Sequence, residues 1–517
     1  MMLLFAYERG SIIRKIIGRV LLLIQRMRAP LMNTATGQNI SAQAIKTSEV
    51  SAPAHIRHSR NDLWENWGRT ARCQPQFSFY PQRVDDLIEI VDFARARGLP
   101  IRVAASGHSW STLVPTDGVL VYIHGLNQVT LDLSDEEHPL VVIESGATVK
   151  EVNDLLEVNG YALPLNVVLE SVRFGGLIAT GSHGSGWNNP TLSDLVHAVE
   201  VVTASGEVRK FEAGVDSEDV MNAVRLSLGM FGIMVRITMN VQRSWVVHAH
   251  DQRLPIERVF EDFKYLVQSQ DNFDLFWWPF CDEIWVKTWK RILNTSITAR
   301  PRYSRSDKLI SDIGSRVHNG LIRLAEKQPR LTPPISRFTF KLTPSNGNKV
   351  VNIVEAIHYR RAIEYTKMGC VEVAFKVEPG FENVKWALRQ VFKRVKTYAR
   401  RGDYPMNVVM NVRFINNSNC WLSPAFGEGH TCYIEILSRS KPANWKYFSG
   451  QVARDWLTLP QARPHWAKEF QHIPDIIPYL KNSYGENIAR FNKIKDQLQV
   501  DPDHMFMNLT LREIFLP

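Results

Sequence analysis

The stretch RVAASGHSW, Arg102–Trp110, decides how the first half of the chain is read. An apolar strand-like segment leads through Ala104, Ala105, Ser106 and Gly107 to His108. Small residues let a backbone approach a ligand closely, and a glycine removes the Cβ that would stand in the way. A histidine at the end of such a loop is either a hydrogen-bonded turn residue or a reactive nitrogen aimed at what the loop approaches. A second small-residue loop, Thr180–Gly186 (TGSHGSG), follows another apolar segment. Successive backbone N–H groups in such loops form concavities suited to a pyrophosphate, although ordinary tight turns use the same residues. Neither G-x-G-x-x-G nor G-x-x-x-x-G-K-[ST] occurs, which disfavours a Rossmann dinucleotide site and a P-loop.

Working outward, the pattern from Asn61 onward is α plus β. FSFYP predicts a short strand. Val84, Leu87, Ile88, Ile90, Val91 and Ala94 then share a helical face that stops at Gly98. LPIRVAAS, GVLVYI and PLVVIESG predict strands, and TVKEVNDLLEVNG a helix. LVHAVEVVTASGEVRKF predicts two strands joined by a Ser-Gly turn, and IMVRITMNV one long strand. A break near 245 precedes the tryptophan-rich pair FDLFWWPFCDEIWVKTWKR. CVEVAFKV, NVVMNVRFI and CYIEILS predict a second sheet, flanked by the helix ENVKWALRQVFKRVKTYARR. The domains are expected at 1–60 (basic N-terminal segment and linker), 61–245 and 246–517.

The composition, 44% hydrophobic and 22% charged, is that of a globular protein. Five cysteines without a C-x-x-C pair indicate neither a zinc site nor a disulfide framework, and no metal is expected. The net charge of +10 is concentrated at one end. Arg9, Arg14, Lys15, Arg19, Arg26, Arg28 and Lys46 face only Glu8 in the first part of the chain, so no nucleic-acid partner is expected. In SIIRKIIGRVLLLI the longest apolar run is Val20–Ile24, far short of the ~20 residues of a spanning helix. A basic amphipathic helix fits instead, as an in-plane membrane contact or a mitochondrial-like targeting segment. Membrane-associated or organellar localisation is the expectation, with a cytoplasmic protein starting at Met32 as the alternative.

The order of SGHS, ESGATVKEVNDLLEVNGYALP, GGLIATGSHGSG and SLGMFGIMVRIT resembles the FAD-binding domain of the vanillyl-alcohol-oxidase superfamily. FWWPFCDEIWVK, VRFINNSNCWLSPAFG, ARPHWAKEF and DPDHMFMN resemble its aldonolactone oxidoreductase branch. The resemblance implies an α+β fold: a two-subdomain FAD-binding domain plus a cap domain with a large antiparallel sheet, its C-terminal part returning to the flavin. It implies FAD bound covalently through His108 and held by Ser106, Gly107, Ser109, Gly176, Thr180, Gly181, His183, Gly184 and Ile233. Lys468 of HWAK is then the cation beside the flavin's pyrimidine ring, and His465 a candidate proton acceptor. Arg413 matches the arginine of a Glu-x-Arg pair in which Asn411 replaces the acid. Val167 and Val168 stand where relatives have a small residue and a serine, so Val167 is expected to narrow the path of dioxygen. Ala105 stands where relatives often carry glycine.

The implied activity is oxidation of a CH–OH group, with a sugar-derived lactone or polyol as substrate and O2 or another electron acceptor. A bulkier, sterol-like alcohol is the alternative within the same chemistry. A non-catalytic membrane-associated scaffold is the alternative from another class.

Overall fold

Three parallel strands carry the RVAASGHSW loop. In the computed structural model Ile101–Ala104 pairs with Val119–Tyr122, which pairs with Phe77–Phe79, and His58–Ser59 adds an antiparallel edge. The structure describes residues 51–293, 316–317, 319–358, 367–439 and 442–517. The amphipathic segment and most of its linker lie outside the described residues. Among those residues no helix is long and apolar enough to cross a membrane.

The helix Val84–Ala96 buries Leu87, Ile90, Val91 and Ala94 against this sheet, the face its 3.6-residue period predicts. A five-stranded antiparallel sheet follows, in the order Val208–Glu212, Val196–Val202, Ile233–Asn240, Leu140–Glu144, Val129–Asp132. The Gly-Gly pair precedes the expected Thr180–Gly186 loop. Phe174–Ala179 forms a short helix, so Gly175 and Gly176 are helical and the loop begins after it. Gly175 sits there because a Cβ would come within 2.8 Å of the Ser145 side chain.

An eight-stranded antiparallel sheet dominates the second half. Its order is Asn346–Asn352, Val246–Pro255, Glu283–Arg291, Asn272–Trp277, Met410–Ile415, Thr431–Arg439, Met368–Lys376, Arg463–Pro464. Strand side chains alternate between faces. One parity, Val371, Val373 and Phe375 with Ile434 and Ile436, belongs to the core that the helices Glu382–Ala399 and Trp445–Trp456 join. The other parity is the one that matters for function. Asn411, Glu435 and Glu372 are direct cross-strand partners and so stand in one row on the opposite face. The C-terminal segment ties the two halves together: Ile101 N–H donates to Met505 and Ala204 N–H to Val500.

Candidate active site

A cavity runs between the RVAASGHSW loop and this second face of the large sheet. Ser106–Trp110, Val167, Val168, Gly176, Thr180, His183, Asn411, Arg413, His465 and Lys468 all line it. Gly107 has φ +67°, a conformation that L side chains rarely adopt, and its carbonyl accepts from Trp67 N–H at 2.7 Å. This turn presents the His108 ring to the cavity, stacked on Trp67 with centroids 5.0 Å apart. Ser106 Oγ donates to the Ser171 carbonyl, and the Ser109 carbonyl accepts from Asn66 Nδ2. Trp110 joins the loop to the other half: its backbone N–H donates to Ala467 O and its indole N–H to Met368 O, each at 2.6 Å.

Three residues expected at the cofactor do not line this cavity. Ile233 is fully buried in the apolar core, and its neighbours Gly232 and Met234 line the cavity instead. A Cβ on Gly181 would lie 2.6 Å from Leu226 Cδ1, and one on Gly184 would lie 2.9 Å from Asn166 O. Those glycines serve close packing beneath the site; Gly184 also borders a second cavity.

The row on the large sheet holds two acids that the sequence reading did not single out. Lys468 Nζ lies 2.8 Å from Glu435 Oε2 and 3.4 Å from Glu372 Oε2. Burial would lower the Lys468 pKa, but Cys370, Glu372 and Glu435 raise it overall, so the ammonium stays protonated. Burial also penalises the Glu372 carboxylate. Lys468 and the His183 contact outweigh that and hold it well below the usual carboxylate range. Lys468 therefore bridges two carboxylates in the cavity wall, the position at which the resemblance implies a cation beside the flavin's pyrimidine ring. It also sits over the Trp110 ring, 5.0 Å from the centroid.

His465 does not suit the role of proton acceptor. Its Nδ1 already accepts from Ala467 N–H at 3.0 Å, and burial drives its pKa down to about 3. A neutral ring held by backbone groups positions the turn that carries Lys468. His183 stacks on Tyr433 at 3.6 Å and places Nε2 3.5 Å from Glu372 Oε1. His183, Glu372 and His465 offer three ligand atoms within 4.8 Å of one another. The Lys468 ammonium already serves that carboxylate, and one His465 nitrogen is engaged, so the cluster is read as an ion-pair network.

Arg413 is fixed by Asp274, Nε to Oδ1 at 3.0 Å, and Asn411 Nδ2 donates to Leu275 O at 3.0 Å. Phe276, Met368, Val409 and Leu437 form an apolar wall beside the polar row. Arg102, which also lines the cavity, is buried and donates to the carbonyls of Leu113, Leu228 and Phe506.

The residues present fit FAD. The loop backbone around Gly107 lies open to the cavity, and a Cβ added at Gly176 would meet only Ala105 Cβ, at 3.5 Å. A cradle for a flat, partly apolar cofactor thus faces a polar row able to hold a hydroxylated substrate.

Residues 237–514 match the family model for D-arabinono-1,4-lactone oxidase, and residues 75–212 the model for an FAD binding domain. L-gulono-1,4-lactone dehydrogenase of Mycobacterium tuberculosis is 27% identical over 459 residues, covering 88% of this chain and 99% of that protein. L-gulonolactone oxidase of Scyliorhinus torazame is 26% identical, covering 87% and 98%. D-arabinono-1,4-lactone oxidase of Kluyveromyces lactis is 24% identical, covering 86% and 95%. Among solved structures, a cholesterol oxidase from B. sterolicum superposes with a TM-score of 0.76 at 16% identity, over 90% of this chain and 98% of that one. That likeness is one of fold.

Proposed function

The chain belongs to the D-arabinono-1,4-lactone oxidase family, and from the site's geometry we propose that it oxidises a CH–OH carbon of a sugar-derived lactone, with Glu435 and Lys468 as the acid–base pair. The observation that carries the residue assignment is the row Asn411–Glu435–Glu372 with Lys468 across it, set in the wall of the cavity that the His108 loop enters.

Bound FAD supplies the two-electron acceptor for the hydrogen leaving the substrate carbon. The chain supplies the rest. Glu435 takes the hydroxyl proton. Counted as charges, Glu372, Glu435 and Lys468 together carry one net negative. A proton on Glu435 makes the cluster neutral as negative charge arrives nearby, which lowers the barrier through electrostatics rather than binding. Arg413, held by Asp274, donates to a substrate oxygen, and Asn411 keeps Oδ1 as an acceptor for a second hydroxyl. The carboxylate absent at position 411 is thus provided one strand away. His108 is proposed to hold the flavin covalently, and Val167, half-buried in the cavity wall, to limit dioxygen's approach. Membrane contact through the basic N-terminus stays a proposal from sequence.

The apolar wall of Phe276, Met368, Val409 and Leu437 favours a second reading, a bulkier and less polar alcohol. Anaerobic mixing of the yellow protein with aldonolactones, open-chain polyols and a 3β-hydroxysterol decides between them. Lactones should bleach the oxidised-flavin absorbance fastest. Bleaching by the sterol alone would overturn the lactone assignment, and bleaching by none of the three would overturn oxidation of this class of alcohol.

A further inference from the structure

Val168, His183 and Arg413 line both the cavity described above and a second, more polar one behind it. The Val167–Val168 side of this partition is held by a ring of hydrogen bonds closed from the other half of the chain. Val167 N–H donates to Asn166 Oδ1 at 2.8 Å. Asn166 Nδ2 donates to Asn153 Oδ1 at 3.2 Å, and Asn153 Nδ2 meets His358 Nε2 at 2.8 Å. His358 Nδ1 returns to the Val168 carbonyl at 2.9 Å. Asn153, Asn166 and His358 are all buried.

The two ends set every direction in the ring. A backbone N–H can only donate and a carbonyl can only accept. Asn166 must therefore offer its oxygen to Val167 and its amide to Asn153, and Asn153 its amide to His358. Nε2 of His358 is then bare and the proton sits on Nδ1, where the Val168 carbonyl requires it. Both ends give the same tautomer, so no member of the ring conflicts with another.

We infer that His358 is a positioning residue for the Val167–Val168 wall, and through it for access of the electron acceptor to the site. The inference rests on the proposed role of Val167 in limiting dioxygen. His358 follows the helix Ile353–Ile357, which packs on the large sheet. The wall beside the flavin cradle is thus held from the domain that carries the substrate row.

The test uses the FAD-loaded full chain and four proteins: parent, Val167→Gly, His358→Leu and His358→Gln. Gln can accept from Asn153 and donate to Val168; Leu can do neither. Stopped-flow reoxidation is followed with dioxygen, and with ferricyanide, which takes electrons without entering a narrow path. His358→Leu should raise the dioxygen rate constant about tenfold, because lost buried hydrogen bonds shift the wall's population by that order. Ferricyanide reoxidation should stay within about twofold, and His358→Gln should lie nearer the parent than the leucine variant does, because it can keep both hydrogen bonds. A leucine variant that reoxidises like the parent while Val167→Gly is fast would overturn the role of His358. If Val167→Gly is also unchanged, it is the reading of Val167 that fails. A readout independent of turnover is the long-range proton–nitrogen spectrum of 15N-histidine-labelled parent. His358 should carry its proton on Nδ1; a proton on Nε2 contradicts the ring.

Discussion

Replacing Lys468 by methionine leaves Glu372 and Glu435 side by side without the ammonium that bridges them. At an effective dielectric of ~20, contacts of 2.8 and 3.4 Å amount to gross attractions of about 6 and about 5 kcal/mol. The net loss is smaller, because one carboxyl can take up a proton instead. At pH 7 that uptake costs about 1.4 kcal/mol for each unit above a carboxyl pKa of ~4.3, or roughly 3.7 kcal/mol. This bounds the destabilisation at about 3–4 kcal/mol, in the range found when one partner of a buried pair is removed.

The variant's folded state then binds a proton that its unfolded state does not. Its deficit should shrink by about 1.4 kcal/mol per unit as the pH falls from 7 toward 5. The assay is urea unfolding followed by tryptophan fluorescence at pH 7 and 5.5, for Lys468→Met and for Lys468→Met/Glu435→Gln. The double variant removes the repulsion between the two carboxyls and should recover part of the stability with a weaker pH dependence, since Glu372 keeps the His183 contact, yet its flavin reduction should remain at least about a hundredfold slow. A single variant that loses under about 1 kcal/mol, or a double variant as unstable as the single, would refute the bridge.

Two further outcomes are expected, one from the proposed attachment of the flavin at His108 and one from the burial of Glu372. Acid-precipitated protein should retain flavin fluorescence on a denaturing gel, and His108→Ala should release it; flavin wholly in the supernatant of the parent would exclude the covalent bond. Glu372, held below the usual carboxylate range, contributes stability that is present above about pH 4.5 and lost as the pH falls through its folded-state pKa. Acid unfolding of Glu372→Gln should accordingly show a shallower pH dependence than that of the parent.

Strands and glycine loops were legible because period and turn chemistry are local. The helix Phe174–Ala179 was not, since glycines disfavour a helix and the close neighbour Ser145, which accounts for Gly175, is brought there only by the fold. Glu372 and Glu435 had a signal that went unused. Each is a lone acid inside an apolar strand, VEVAF and YIEIL, and a charge in a strand buried on both faces calls for a partner. His465 carried no such signal, since its ring is engaged by Ala467 N–H within its own turn. The ring through His358 was beyond reach, because it joins Val168 to a residue 190 positions away that only the tertiary fold brings near.

The central claim is that the cofactor cradle at His108 opposes the row of Asn411, Glu435 and Glu372. It is tested most directly by an experimental structure of the FAD-loaded protein soaked anaerobically with an aldonolactone. The account predicts the flavin against the His108 loop and a lactone hydroxyl within hydrogen-bond reach of Glu435. A lactone bound in the second cavity, or held without contact to Glu435, would contradict it.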